Sequence, residues 1–556
     1  MVPTSVWAAG PLVKVATDSS AQMSSDPEAV YVNNYSGSVR SENFNDNWKF
    51  YLGDASGAEE PGFNDSSWTQ VNLPHDYSIE QDYTTSGEAE SGYLPGGTGW
   101  YRKNFTIDSS AAGKEIRIDF GGVYMNSTVW VNGHEVGSHP YGYTPFSFDI
   151  SDYVNYGGDN VITVKVNHQT PSSRWYSGSG IYRSVDLTIT DPVHVDLNGT
   201  KIETPNLEEE AGGTVNTDIS TTIANDSAEA QSVTLTHTVF PKDGDVEDSI
   251  GTVTTEAVEV AAGASADIDA TVQVNAPELW STDNPALYTV RTEVKVGDTV
   301  VDTYDTEYGF RYFNFDSNTG FSLNGENMKL KGVCMHHDQG ALGAEAWADA
   351  ISRQVRILKE MGCNSIRVTH NPAADELIEA CNEQGILVVE EAFDGWMYPK
   401  NGNSNDYSGW FNQTIGADNT ILGAEEGMTW AQFDLTAMIK RGQNAPSIIM
   451  WSLGNEVQEG TAYGLGQAYA DAQSKLIAWA QALDSTRLVT RGDNNVKGNT
   501  SGTAYNIMDS LAQAGGAVGL NYTNGAQYDA QHSASPDWLI YGSETASSVN
   551  SRGIYD

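Results

Sequence analysis

The stretch that most limits how this chain can fold is 447–456, Ser-Ile-Ile-Met-Trp-Ser-Leu-Gly-Asn-Glu. Five strongly apolar residues fall in its first seven positions, the run stops at Gly454, and Asn455-Glu456 follow at once. A short run rich in β-branched and aromatic residues and closed by glycine reads as a buried strand of a parallel sheet. In an eight-stranded α/β barrel the side chains that do chemistry sit where strands end. Glu456 is placed there, and an apolar strand has little packing reason to finish on an amide and a carboxylate. Residues 537–544, Asp-Trp-Leu-Ile-Tyr-Gly-Ser-Glu, repeat the pattern and end at Glu544. The two glutamates are 88 positions apart (544 minus 456). At roughly 31 residues per strand-helix unit, that spacing assigns them to strands four and seven. Retaining glycosidases hold two such carboxyl groups about 5–5.5 Å apart, one protonated and one ionised.

The rest of the chain fits that frame. With 556 residues it exceeds one domain. Residues 1–30 read as a disordered lead-in or a signal-peptide remnant. Residues 31–192 show short strands and a hairpin turn at Asn132-Gly133, the pattern of a jelly-roll β-sandwich. Residues 193–312 continue in Thr- and Val-rich strands that fit an immunoglobulin-like β-sandwich. From 313 to 556 strands alternate with helices, as in a TIM barrel. Helices are expected over 345–361 and 373–384, with a long Gly/Asn-rich loop over 394–423. Twelve residues follow Glu544, too few for an eighth strand and helix. The expected fold is therefore multidomain β plus α/β, with a (β/α)8 barrel lacking its last strand and helix, read as a fragment.

Composition excludes several partners. Lys and Arg number 29 against 74 Asp and Glu, a formal net charge of −45. That charge repels phosphate backbones and anionic lipid, so neither nucleic acid nor a membrane surface is an expected partner. It suits a protein meeting neutral ligands, with an extracellular or cell-surface location favoured over the cytoplasm; a homo-oligomer stays open. Cys334, Cys363 and Cys381 match no metal or disulfide spacing and read as buried thiols.

From about Tyr31 onward the sequence resembles glycoside hydrolase family 2, and within it the β-galactosidases. The resemblance rests on Leu73-Pro74-His75-Asp76, Gly97-Thr98-Gly99-Trp100-Tyr101-Arg102 and the 173–183 stretch Ser-Arg-Trp-Tyr-Ser-Gly-Ser-Gly-Ile-Tyr-Arg. In the barrel it rests on Gly332-Val333-Cys334-Met335-His336-His337-Asp338, Arg367-Val368-Thr369-His370-Asn371-Pro372 and Trp451-Ser452-Leu453-Gly454-Asn455-Glu456. It implies a galactose-binding-like jelly roll, an immunoglobulin-like domain and a catalytic barrel. It further implies a retaining exo-β-galactosidase acting on β-galactoside oligosaccharides or glycoconjugates. A β-glucuronidase or β-mannosidase of the same family, or a non-catalytic carbohydrate-binding fragment, are the alternatives.

By position, the resemblance implies Glu456 as acid/base and Glu544 as nucleophile. Asn455 matches the residue that touches the sugar 2-hydroxyl, and Arg367 the one that keeps the nucleophile ionised. Tyr522 matches the tyrosine that hydrogen-bonds the nucleophile, and His336 and His370 line the sugar site. Arg174 and Asp394 are candidates for reaching the sugar, with a structural role the alternative. Trp396 and Trp410 stand between stacking on a sugar and ordinary packing. The well-known bacterial galactosidases carry a glutamate and a histidine after the third strand that help bind magnesium. This chain has Gly395 and Met397 there. Glycine offers no ligand atom and a thioether suits a hard cation poorly, so no metal and no cofactor are expected.

Overall fold

The computed structural model describes residues 33–85, 87–458 and 466–546. The lead-in expected over 1–30 lies outside them. The N-terminal unit is a sandwich. Its larger sheet runs Thr69–Val71, Trp48–Leu52, Gly97–Ile107, Asp159–His168, Ser127–Val131, His134–His139, with Asn33–Tyr35 added beside Gly97–Ile107. Its smaller sheet runs Ser41–Asn43, Val185–Thr190, Glu115–Phe120, Phe146–Asp149. The Glu115–Phe120 strand alternates strictly, with Ile116, Ile118 and Phe120 turned into the core. Asn132 and Gly133 both take positive φ, +51° and +85°, as a tight hairpin turn requires.

The second unit is an immunoglobulin-like sandwich. Its three-stranded sheet is Val193–Glu203, Thr214–Asn225, Ala264–Asn275. Its five-stranded sheet is built around Gln231–Pro241, Tyr288–Val296 and Thr299–Tyr308.

The third unit is a curled parallel sheet of seven strands in sequential order. They are β1 (Gly332–Met335), β2 (Ser365–Val368), β3 (Leu387–Glu391), β4 (Ile448–Asn455), β5 (Leu488–Asp493), β6 (Ala517–Asn521) and β7 (Leu539–Glu544). Helices α1 (Ala348–Glu360), α2 (Asp375–Gln384), α3 (Trp430–Gly442), α4 (Gln467–Leu483), α5 (Thr503–Gln513) and α6 (Gly525–Ala534) alternate with them. Every residue of β4 is buried, as a strand covered on both faces must be. Helix α1 begins three residues later than expected, with Trp347 as its N-cap. The thiols also differ from expectation: Cys381 is buried, Cys363 is half-buried and Cys334 is exposed. Cys334 lies on β1, at one end of the seven-strand order, and its thiol donates to the Ser543 carbonyl on β7 at 3.3 Å.

One apolar core runs through both the jelly roll and the barrel. Buried Arg183 fastens the two, donating to the carbonyls of Pro372 (2.8 Å) and Ala373 (2.9 Å) before α2 and of Tyr143 (2.6 Å). The Tyr141 hydroxyl donates to the Ala392 carbonyl just past β3 at 2.6 Å. This docking carries the 173–176 loop of the jelly roll to the C-terminal mouth of the barrel. Among the described residues no helix is long and apolar enough to cross a membrane.

Candidate active site

The site is built where the parallel strands end. On β3, Glu390 and Glu391 are adjacent and both fully buried, so alternation sends them to opposite faces. Glu390 pairs with Arg441 on α3. Glu391 turns to the barrel interior, where it accepts from Arg367 Nη2 (2.6 Å), His370 Nδ1 (2.6 Å) and Ser452 Oγ (2.6 Å). Burial alone would raise the Glu391 carboxyl, but the Arg367 guanidinium and then His370 hold it below the usual carboxylate range. Burial likewise works against the Arg367 charge, and Glu391 with its neighbours holds the guanidinium well above its ordinary value.

Arg367 joins this buried pair to the rest of the site. Its Nη1 donates to Glu544 Oε1 at 2.8 Å, and its Nη2 to Asn455 Oδ1 at 3.2 Å. Asn521, at the end of β6, donates from Nδ2 to Glu456 Oε1 (2.8 Å) and to Asn455 Oδ1 (3.1 Å). A continuous chain therefore runs Glu456–Asn521–Asn455–Arg367–Glu544. Tyr522 closes its far end by donating its hydroxyl to Glu544 Oε2. Gly492 on β5 lies beneath: a Cβ there would sit 2.7 Å from Arg367 Nη2 and 3.0 Å from Asn455 Oδ1.

Both glutamates are delivered by a bulge. Between Ser452 and Asn455, β4 advances three residues while β5 advances two, from Thr490 to Gly492. Between Tyr541 and Glu544, β7 advances three while β6 advances two, from Gly519 to Asn521. Ser452 faces the interior, and strict alternation would turn Asn455 away; the extra residue restores it. The same shift brings Glu544 to the side of Ser543, whose Oγ donates to Asn521 Oδ1 at 2.5 Å. Glu456 then takes φ +41° and Tyr522 φ +54°, left-handed values uncommon for such side chains.

The wall is aromatic and comes from two units. Trp175 of the jelly roll packs against His336, with ring centroids 4.9 Å apart, and edge-on to His370 at 5.7 Å. Burial first, and then the neighbouring histidines, push the His336 imidazole down to about 3, so the ring is neutral. The Trp175 indole N–H and His336 Nδ1 have no hydrogen-bond partner among the described residues. Beside them Arg174 makes a two-point contact with Asp394, Nε to Oδ2 at 2.9 Å and Nη2 to Oδ1 at 2.6 Å. Lys400, from the long loop after β3, donates to Asp394 Oδ1 (2.8 Å) and to the Asn455 carbonyl (2.9 Å). Burial alone would raise Asp394, but Lys400 and then Arg174 hold its carboxyl far below the usual range.

Three family profiles match the chain in order. "Glycosyl hydrolases family 2, sugar binding domain" matches residues 42–192, "Glycosyl hydrolases family 2" residues 195–311, and "Glycosyl hydrolases family 2, TIM barrel domain" residues 317–532. The β-galactosidase BoGH2A of Bacteroides ovatus is 37% identical over 92% of this chain and 60% of its own length. The chain belongs to glycoside hydrolase family 2. A putative β-glucuronidase of Formosa agariphila is also 37% identical, over 82% of this chain and 40% of its own. A solved family 2 member from Bacteroides cellulosilyticus superposes with a TM-score of 0.82 at 35% identity, covering 91% of this chain and 61% of that one. Bacteroides uniformis β-glucuronidase superposes at 0.73 with 27% identity, over 90% of this chain and 58% of that one. The chain thus spans 40 to 60% of the length of these curated relatives.

Within this family 2 barrel, Glu456, Glu544, Asn455, Arg367, His370 and Tyr522 come together in one hydrogen-bonded cluster, with His336 against its wall. Arg174 and Asp394 reach the same place but are bonded to each other. Trp396 does not face the cluster. It is fully buried beneath Gly454, with its Nε1 donating to the Leu453 carbonyl at 2.9 Å, because that glycine leaves room for an indole. Among the described residues no group of three His, Cys, Asp or Glu side chains could hold a metal ion. Beside Gly395 the Lys400 ammonium already neutralises Asp394. Four residues of the cluster escaped the sequence reading: Glu391, Asn521, Lys400 and Trp175. Glu391 left a signal, a carboxylate in an otherwise apolar strand. Asn521 repeats the amide-at-strand-end pattern of Asn455. Lys400 left none, since its place depends on how a long loop folds back.

Proposed function

We propose that the protein is a retaining exo-glycosidase that releases terminal β-D-galactose. The observation that carries this reading is the single network joining Glu456 to Glu544 through Asn521, Asn455 and Arg367. Two strand-end carboxylates tied into one network supply the pair of groups that double displacement uses. Arg367 and Tyr522 both donate to Glu544 and aim its oxygens at the anomeric carbon. Glu456, as acid, gives its proton to the leaving oxygen while Glu544 forms the glycosyl–enzyme bond. Glu456, as base, then takes a proton from water, which attacks the anomeric carbon, releases the sugar with its β configuration and restores Glu544. Trp175, His336 and His370 supply the apolar ring faces and nitrogens that meet the sugar.

Galactose is preferred over a uronic acid because the cations at the wall are engaged. Arg174 Nε and Nη2 are directed to Asp394, and Lys400 Nζ to Asp394 and Asn455. The second reading is a β-glucuronidase, favoured by relatives that bear that name. Turnover of a panel of aryl β-glycosides by the native protein tests both. The expected result is cleavage of the galactoside with retention, abolished in Glu544→Gln. Faster cleavage of the glucuronide would replace the sugar, and substantial turnover by Glu544→Gln would remove the mechanism.

A further inference from the structure

Asp394 stands in a loop just past β3, and three segments of the chain converge on it. Arg174 lies 220 positions away, in the jelly roll; Asn455 lies 61 positions away, at the end of β4; Lys400 lies 6 positions on. Four donors meet its two oxygens: Arg174 Nε on Oδ2 at 2.9 Å, and on Oδ1 Arg174 Nη2 at 2.6 Å, Lys400 Nζ at 2.8 Å and Asn455 Nδ2 at 3.3 Å. Three of these donors crowd Oδ1 and one meets Oδ2, so Oδ1, the oxygen shared by Lys400 and Asn455, is held inside the protein.

The orientation of the Asn455 amide depends on the same contacts. Its Oδ1 accepts from Arg367 Nη2 (3.2 Å) and Asn521 Nδ2 (3.1 Å), while its Nδ2 faces Asp394 Oδ1 (3.3 Å) and His370 Nε2 (3.2 Å). His370 turns its other nitrogen, Nδ1, to Glu391. Turning the amide over would set N–H against two donors and C=O against the Asp394 carboxylate. Asp394 supplies the anionic contact of that discrimination, as Arg367 supplies the cationic one. Lys400, bonded to both Asp394 and the Asn455 carbonyl, fixes the backbone at the same point.

We infer that Asp394 is a positioning residue: it draws the jelly-roll Arg174 and the loop Lys400 onto the end of β4 and sets the Asn455 amide for the transition state. This rests on the glycosidase reading above. Asp394 acts through the Asn455 amide, so its removal lowers kcat more than it raises KM.

A double-mutant cycle on the native protein tests it, using kcat and KM for the aryl β-glycoside the wild type cleaves best. Asp394→Asn is expected to lower kcat by about 10- to 100-fold with KM changed less than about threefold. Asn455→Ala is expected to lower kcat at least as much, and adding Asp394→Asn to it to cost less than about twofold more. Asp394→Glu, which keeps the charge but moves it, is expected to lose kcat as well. Additive penalties, or full activity in Asp394→Glu, would overturn the inference. If Asp394→Asn alone does not fold, Arg174→Met/Asp394→Asn keeps the net charge of the cluster, and the same insensitivity to Asn455→Ala is expected there. Additivity there overturns it equally. Glu544→Gln separates the two levels: turnover surviving that change defeats the glycosidase reading, whereas additivity with Glu544→Gln inactive defeats the positioning role alone.

Discussion

Tyr522 grips Glu544 at both ends: its backbone N–H donates to the Glu544 carbonyl at 2.6 Å, and its hydroxyl donates to Glu544 Oε2. The left-handed backbone at Tyr522, φ +54°, lets one residue reach both atoms. A hydrogen bond to a charged group contributes about 1.5–3 kcal/mol. Tyr522→Phe should therefore lower kcat by about 10- to 100-fold with the fold intact, as read by steady-state kinetics beside a thermal melt. A kcat within about twofold of wild type would show that the hydroxyl does not orient the carboxylate.

Arg367 carries the buried charge of the site, between Glu391 and Glu544. Arg367→Met strips Glu391, whose side chain is fully buried, of its cation. Leaving one charge of a buried pair alone costs about 3–5 kcal/mol. Denaturant unfolding should show a loss of that order, and the double change Arg367→Met/Glu391→Gln should recover part of it. A double variant no more stable than the single would argue against the pairing.

Gly492 takes no special backbone angle; it is needed because Arg367 Nη2 and Asn455 Oδ1 approach within 2.7 and 3.0 Å of where a Cβ would stand. Gly492→Ala should cost about 1–3 kcal/mol from overpacking and lower kcat by about tenfold or more, because the displaced atoms belong to the network. Measured kcat equal to wild type would mean that the network yields without consequence.

His168 is buried in the jelly roll between the hydroxyls of Ser179 (2.6 Å) and Ser172 (2.8 Å), and burial pushes its ring down from 6.5 to about 4. A folded-state value below the unfolded one favours the neutral form. Its contribution to stability is whole above pH 6.5 and is lost as pH falls toward 4. At 1.36 kcal/mol per unit, the loss by pH 5 is about 2 kcal/mol. Chemical denaturation at pH 7 and pH 5 should show that difference shrinking by this amount in His168→Gln. An unchanged difference would assign the acid sensitivity to other groups.

With Gly395 and Met397 where a magnesium site would need ligands, exhaustive chelation should leave turnover of the aryl glycoside unchanged. A large loss restored by added magnesium would contradict this.

Much of the site was legible because its residues end apolar runs. Asn455, Glu456 and Glu544 announce themselves as polar groups where packing has no use for them. His370 and Arg367 follow from motifs on β2. Glu391 was legible as a buried carboxylate but not as the partner of Arg367, since pairing across strands depends on register. Trp396 and Asp394 mark the limit: both lie in the same short loop segment, and composition cannot say which one packs beneath Gly454 and which joins a charge cluster.

The sequence alone determined the order of units, the parallel sheet and the strands that carry each glutamate, because hydrophobic period and turn chemistry are local. Tertiary structure decided which way those glutamates point. The bulges at Ser452–Asn455 and Tyr541–Glu544 are defined by the register of neighbouring strands, and one extra residue reverses the side a chain faces. It also decided that a jelly-roll arginine meets a barrel aspartate across 220 positions, a contact set by the docking of two cores rather than by any pattern along the chain.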